Sequence, residues 1–137
     1  MIPFVLKNWY LFLALAVILG LLLYEPIARA RYQIRKLSVL ELPRLVSRRQ
    51  AAVVDVSEPH EYNKGHLPGA MNVPLSRLNK DLERLKKYRA KPVVLYCRSG
   101  HRSFQGAKIL RRQGFEEVYE LAGGLLAWEK ENLPVER

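Results

Sequence analysis

The chain holds a single cysteine, Cys97, and it opens the run Cys97-Arg98-Ser99-Gly100-His101-Arg102-Ser103. A thiol attacks as its thiolate, which nearby positive charge and backbone N–H groups stabilise. Arg98, His101 and Arg102 provide the charge, and Gly100 provides a position where the backbone can turn with φ > 0. Between a strand and a helix, such a run aims successive N–H groups at one point beside the positive end of the helix dipole. That is a cradle for a nucleophilic sulfur acting on an anion. A lone cysteine is more often a small buried hydrophobe, but Arg, Ser, Gly and His are poor company for a packing residue. One cysteine allows no intramolecular disulfide and no zinc–cysteine cluster, and no two histidines stand at ligand spacing, so no metal is expected. A working thiol suits a reducing compartment.

Two other titratable residues draw attention. His66, between Gly65 and Leu67, reads as a hydrogen-bonded structural histidine ahead of a base or ligand. Asp55 reads as an acceptor for loop N–H groups ahead of a catalytic acid. The net charge of +10, from 23 basic and 13 acidic residues, suggests an anionic partner: nucleic acid, a phospholipid surface or a small anion. No aromatic-basic repeat or zinc-finger spacing is present, so nucleic acid is not expected. A composition 49% hydrophobic and 26% charged excludes a disordered tail.

The elements that must position these residues follow from the hydrophobic pattern. Ala51–Val56 and Pro92–Tyr96 are short apolar runs rich in β-branched residues, which predicts buried strands. Cys97 then directly follows a strand, at the end where sites form in open α/β sheets. Ser103–Gln113 reads as a helix stopped by Gly114, and Glu117–Leu121 as a last short strand. Gly124–Asn132 reads as a final helix with Leu125 and Trp128 inward. Ser38–Glu41 has capping-box spacing for a helix through Leu45 and Val46, with Pro43 as a local conflict. Gly65 and Pro68-Gly69 mark turns before a short Ala70–Val73 strand. Leu75, Leu78, Leu82 and Leu85 predict one amphipathic helix. Strands alternating with helices imply an α/β domain with a mostly parallel sheet.

Ahead of this domain, Trp9–Tyr24 carries no charge, and as a helix it covers ~24 Å. Adding Phe4-Val5-Leu6, with Lys7 snorkelling, brings it to the length of a membrane span, with Trp9, Tyr10 and Tyr24 as an aromatic belt. Arg29, Arg31, Arg35 and Lys36 follow the segment, and only Lys7 precedes it. The positive-inside rule therefore places the C-terminal domain in the cytoplasm, behind a single-pass anchor. Ala28-Arg29-Ala30 has the arrangement of a signal-peptide cleavage site, so the alternative is export after cleavage near Ala30. The expected organisation is an anchor over 1–28, a basic juxtamembrane linker over 29–37, and a domain over 38–137.

The soluble part resembles the rhodanese-homology family in three motifs taken in order. The first is Asp55, Glu61-Tyr62, Gly65-His66-Leu67-Pro68-Gly69-Ala70 and Asn72-Val73-Pro74. The second, Tyr96 through Ser103, is similar to the active-site loop of single-domain sulfurtransferases. The third is Leu121-Ala122-Gly123-Gly124 followed by Trp128. The resemblance implies the rhodanese-like three-layer fold, a mostly parallel central sheet flanked by helices. It implies that Cys97 carries a persulfide and that Arg98, Ser99, Gly100, His101, Arg102 and Ser103 bind the substrate anion, with Asp55, Glu61 and His66 in support. It implies no cofactor beyond the cysteine, a small anionic donor such as thiosulfate, and a thiol, cyanide or protein-cysteine acceptor. One departure stands out: Ser57 occupies the position where many members carry an Arg that can pair with Glu61. Two rivals remain. One is a phosphatase or arsenate reductase, against which the six-residue Cys97–Arg102 loop argues, since the related phosphatases use a loop one residue longer. The other is a non-catalytic, membrane-tethered module, a type that usually lacks the cysteine.

Overall fold

The structure, a computed structural model, describes residues 1–137. It divides into two units, Met1–Gln33 and Ile34–Arg137. The first is two helices, α1 (Ile2–Lys7) and α2 (Trp9–Tyr32), separated by Asn8. The expected continuous span from Phe4 to Tyr24 is therefore broken at Asn8. Length comes from the other side instead: α2 runs 24 residues, through Pro26, to Tyr32. At ~1.5 Å per residue that is ~36 Å, and the mean hydropathy of 2.3 over its apolar 18-residue window makes it long and apolar enough to cross a membrane.

In the second unit, five strands form one all-parallel sheet in the order β1-β5-β4-β2-β3. They are β1 (Arg35–Leu37), β2 (Ala52–Asp55), β3 (Met71–Asn72), β4 (Pro92–Tyr96) and β5 (Glu117–Leu121). The expected linker over 29–37 is thus replaced by the end of α2 and an edge strand. An edge strand needs only one buried side chain, Leu37, so its charged partners Arg35 and Lys36 hid it. β2 and β4 are buried along their whole length, which is why they read as continuous apolar runs.

The helices cover both faces. Val53, Val94, Tyr96 and Leu121 pack on one face with Leu42 of α3 (Leu42–Arg49) and with Leu125 and Trp128 of α6 (Gly124–Lys130). On the other lies α5 (His101–Arg112), with Gly106 beside Leu78, Val56 and Leu95. An ideal Cβ on Gly106 would meet these at 3.4–3.7 Å. The expected start of α3 at Ser38 is moved to Leu42. Ser38 Oγ accepts the Glu41 N–H at 3.3 Å in a preceding turn, and Pro43 sits in the first helical turn, where its missing donor costs nothing. The expected helix over Leu75–Leu85 is instead two 3₁₀ segments, Leu75–Arg77 and Leu82–Tyr88. Leu78 and Leu85 are fully buried, and the spacing of three between Leu75 and Leu78 and between Leu82 and Leu85 is the 3₁₀ repeat. Short α4 (Pro59–Lys64) was not expected. It is closed by a capping box in which Glu58 and Glu61 exchange side-chain bonds with each other's backbone N–H groups.

The topology makes a crevice. β2 connects outward to β3 on one side, whereas the neighbouring β4 connects through α5 to β5 on the other. Chains leaving β2 and β4 therefore diverge, and the gap lies beyond Asp55 and Tyr96, which are paired in register. Cys97 is the next residue.

Candidate active site

Cys97 is 1% exposed and sits between the end of β4 and the start of α5. The Gly100 N–H donates to Cys97 Sγ at 3.0 Å. Gly100 has φ +117, which bends the loop so that its amide faces back to the sulfur. The next residue, His101, begins α5, so the positive end of that helix adjoins the thiol. Arg98, Ser99 and His101 are exposed around the loop, within reach of an incoming anion.

Arg102 and Ser103, both expected to contact the substrate anion, are engaged elsewhere. Arg102 makes a two-point ion pair with Glu61, at 2.6 and 2.9 Å. The Arg102 hydrogen bond holds the Glu61 carboxyl at about 2, well below the usual range, and the pairing raises Arg102 in turn. Ser103 is fully buried, and its hydroxyl lies 2.9 Å from the Gly100 carbonyl and 3.1 Å from Glu120 Oε1. Both residues brace the loop. Their types alone pointed to an anion, and only the fold shows that Arg102 pairs with Glu61 and that the Ser103 hydroxyl lies between Gly100 and Glu120.

The pairing also settles the Ser57 departure. Glu61 takes its guanidinium from α5, and buried Ser57 instead donates its N–H to Asp55 Oδ1 at 2.8 Å. Asp55 is thus the acceptor for loop N–H groups that the sequence suggested. Asn72 Nδ2 ties the same loop by donating to the carbonyls of Asp55 and Ser57, at 3.1 and 2.8 Å. Tyr96 is buried with its hydroxyl accepting the Leu67 N–H at 3.0 Å, and burial, helped by Asp55, raises its phenol. His66 packs on α4. Its ring stacks on Tyr62 with centroids 3.7 Å apart, and its backbone pairs with Glu136. Its Nδ1 also lies 3.0 Å from the Tyr62 carbonyl oxygen.

Gly124, a member of the third motif, is a further support of the loop. At the start of α6, Leu125 N–H donates to the Cys97 carbonyl at 2.9 Å and Leu126 N–H to the Arg98 carbonyl at 3.2 Å. A Cβ on Gly124, whose φ is +60, would lie 2.3 Å from the Cys97 carbonyl oxygen. Glycine is required for this approach. The signal available beforehand was the Gly123-Gly124 pair itself. No three His, Cys, Asp or Glu side chains converge as a metal site.

Residues 38–131 match the sequence profile of the rhodanese-like domain family. The thiosulfate sulfurtransferase GlpE of Coxiella burnetii is 35% identical over 95 residues, covering 69% of this chain and 87% of that protein. YqhL of Bacillus subtilis, an uncharacterized protein, is 42% identical over 80 residues; the match covers 58% of this chain and 62% of the relative's length, less than two-thirds of it. Among solved structures, a rhodanese-related protein from Thermoplasma volcanium superposes with a TM-score of 0.67 at 27% identity, over 74% of this chain and 97% of that one.

Proposed function

The chain belongs to the rhodanese-like domain family, and from that membership we propose that it is a sulfurtransferase working through a persulfide on Cys97. The observation that carries this reading is the Gly100 N–H aimed at Cys97 Sγ from 3.0 Å, beside the start of α5. Backbone donors placed there stabilise a thiolate before reaction and a terminal sulfur anion after it.

The reaction runs in two halves. The Cys97 thiolate attacks the outer sulfur of a donor such as thiosulfate; a Cys97–sulfur bond forms, the donor's S–S bond breaks, and sulfite leaves with the electron pair. A thiolate or cyanide then attacks the terminal sulfur, which departs with the acceptor and returns the Cys97 thiolate. Charge is conserved in each half, and no cofactor is called for. Exposed Arg98, Ser99 and His101 receive the anion, while the Glu61–Arg102 pair and Ser103 hold the loop against rearrangement. The Coxiella relative named as a thiosulfate sulfurtransferase supports the choice of donor.

Helix α2 is the membrane anchor in this reading, and Arg29 and Arg31 in its last turns, with Arg35 and Lys36 after it, keep the domain in the cytoplasm. Ala28-Arg29-Ala30 is the alternative cleavage site. The test of the chemistry is intact mass after thiosulfate treatment. The expected result is one added sulfur, removed by reductant and absent from Cys97→Ser. Added sulfur on the folded Cys97→Ser protein would refute the proposal.

A further inference from the structure

Sulfur transfer makes no use of the groove between edge strand β1 and helix α3. It measures about 300 Å³, with Leu37 and Leu45 in its lining beside Glu41, Arg44, Arg48 and Arg49. Arg49 is held by Glu117 at 2.7 and 2.8 Å. Arg44 and Arg48 stand one helical turn apart, and no carboxylate lies within ion-pair distance of either. Arg35 and Lys36 are exposed on β1. From residue 34 to 50 there are five cations (Arg35, Lys36, Arg44, Arg48, Arg49) against one acid, Glu41. The same stretch exposes Leu40 to 66%, one of only three large exposed hydrophobics in Ile34–Arg137, while Val46 lines a separate groove on the other side of α3.

These features together select one kind of partner. A free anion needs the guanidinium groups and has no use for an exposed leucine in the same stretch. A phospholipid leaflet presents phosphates next to hydrocarbon and meets both. Chain continuity brings the leaflet near: α2 ends at Tyr32, and Arg35 follows three residues on, within about 11 Å of extended chain.

We propose that the β1–α3 face docks on the anionic phospholipid headgroups of the bilayer that α2 spans. Arg35, Lys36, Arg44 and Arg48 meet the phosphates, and Leu40 enters the boundary between headgroups and acyl chains. This rests on the reading of α2 as an anchor, and the experiment separates the two.

The full chain carrying Cys97→Ser and Ser47→Cys offers one nitroxide-labelling position, on exposed Ser47 of α3. It is reconstituted into nanodiscs of phosphatidylcholine, with or without one-third phosphatidylglycerol, and the label's accessibility to a water-soluble nickel chelate is measured. The expected result is protection in anionic discs only, released by raised salt. Each cation beside an anionic leaflet is worth roughly a fivefold change in partition, so Arg44→Gln with Arg48→Gln should lower docking roughly 25-fold. The salt response of the unsubstituted face keeps the test decisive even where that double variant misfolds. Equal accessibility in both discs at low salt would overturn the docking while leaving the anchor intact. Release of the label by inorganic phosphate beyond that by chloride at equal ionic strength would make the groove a free-anion site and overturn it too. Loss of the whole chain from the discs on alkaline washing would overturn the anchor instead.

Discussion

Gly124→Ala asks whether α6 fixes the Cys97 loop. The added methyl would stand 2.3 Å from the Cys97 carbonyl oxygen and 2.9 Å from that of Arg98. Neither oxygen can retreat freely, because the two accept N–H groups of Leu125 and Leu126. The left-handed backbone at φ +60 costs an alanine ~1 kcal/mol, and stretching the two hydrogen bonds adds ~1 kcal/mol each. The sum of ~3 kcal/mol corresponds to a fall in Tm of about 15 °C for a domain of this size. Gly69→Ala is the control. It shares a positive φ, +75, but a Cβ there meets nothing within 4 Å, so only the backbone cost of ~1 kcal/mol, about 5 °C, remains. Thermal unfolding followed by circular dichroism gives both values, and persulfide formation by mass spectrometry gives the rate. We expect Gly124→Ala to slow that step at least tenfold in the folded protein, because moving the Cys97 peptide takes Sγ away from the Gly100 amide. Equal Tm losses in the two variants, with an unchanged rate in Gly124→Ala, would refute the reasoning.

The Glu61–Arg102 pair makes a pH prediction. The folded Glu61 carboxyl is held at about 2, below its unfolded value, so its stabilisation is complete above the usual carboxylate range and is lost as pH falls toward 2. Both partners are partly solvated, so we expect wild type to exceed Glu61→Gln by ~1 kcal/mol or less at pH 7, and the gap to shrink on acidification. Urea unfolding of both proteins from pH 7 to 3 measures it, and a gap independent of pH contradicts the assignment. The membrane prediction is that the full chain stays with the membrane fraction through high-salt and alkaline washes, held by α2. Recovery of a soluble protein beginning after Ala30 would show cleavage and export.

Where sequence reading succeeded, a local rule met a strong local signal. β2 and β4 are uninterrupted apolar runs because parallel strands in the middle of a sheet are buried on both faces, and β5 lies where its pattern placed it. Where it failed, the deciding interaction was distant. β1 is a strand because Arg35–Leu37 pairs with Tyr119–Leu121 far along the chain. The leucine run from Leu75 fitted a helix, and i→i+3 hydrogen bonds such as Leu78 N–H to the Leu75 carbonyl make it two 3₁₀ segments.

The candidate site divides along the same line. Residue order alone determined that one thiol follows a buried strand, that a glycine lets the loop turn back, and that cations crowd it, because each of these is a property of neighbours in the chain. Tertiary structure alone decided which partners those polar groups take. Arg102 is taken by Glu61 and Ser103 sits by Glu120, partners 41 and 17 residues away in the chain. It also decided that Gly124 must be a glycine, since the backbone it has to clear belongs to Cys97 and Arg98. Spacing along a chain fixes which atoms can act, whereas hydrogen-bonding capacity is used up through space, and only the packed fold shows where.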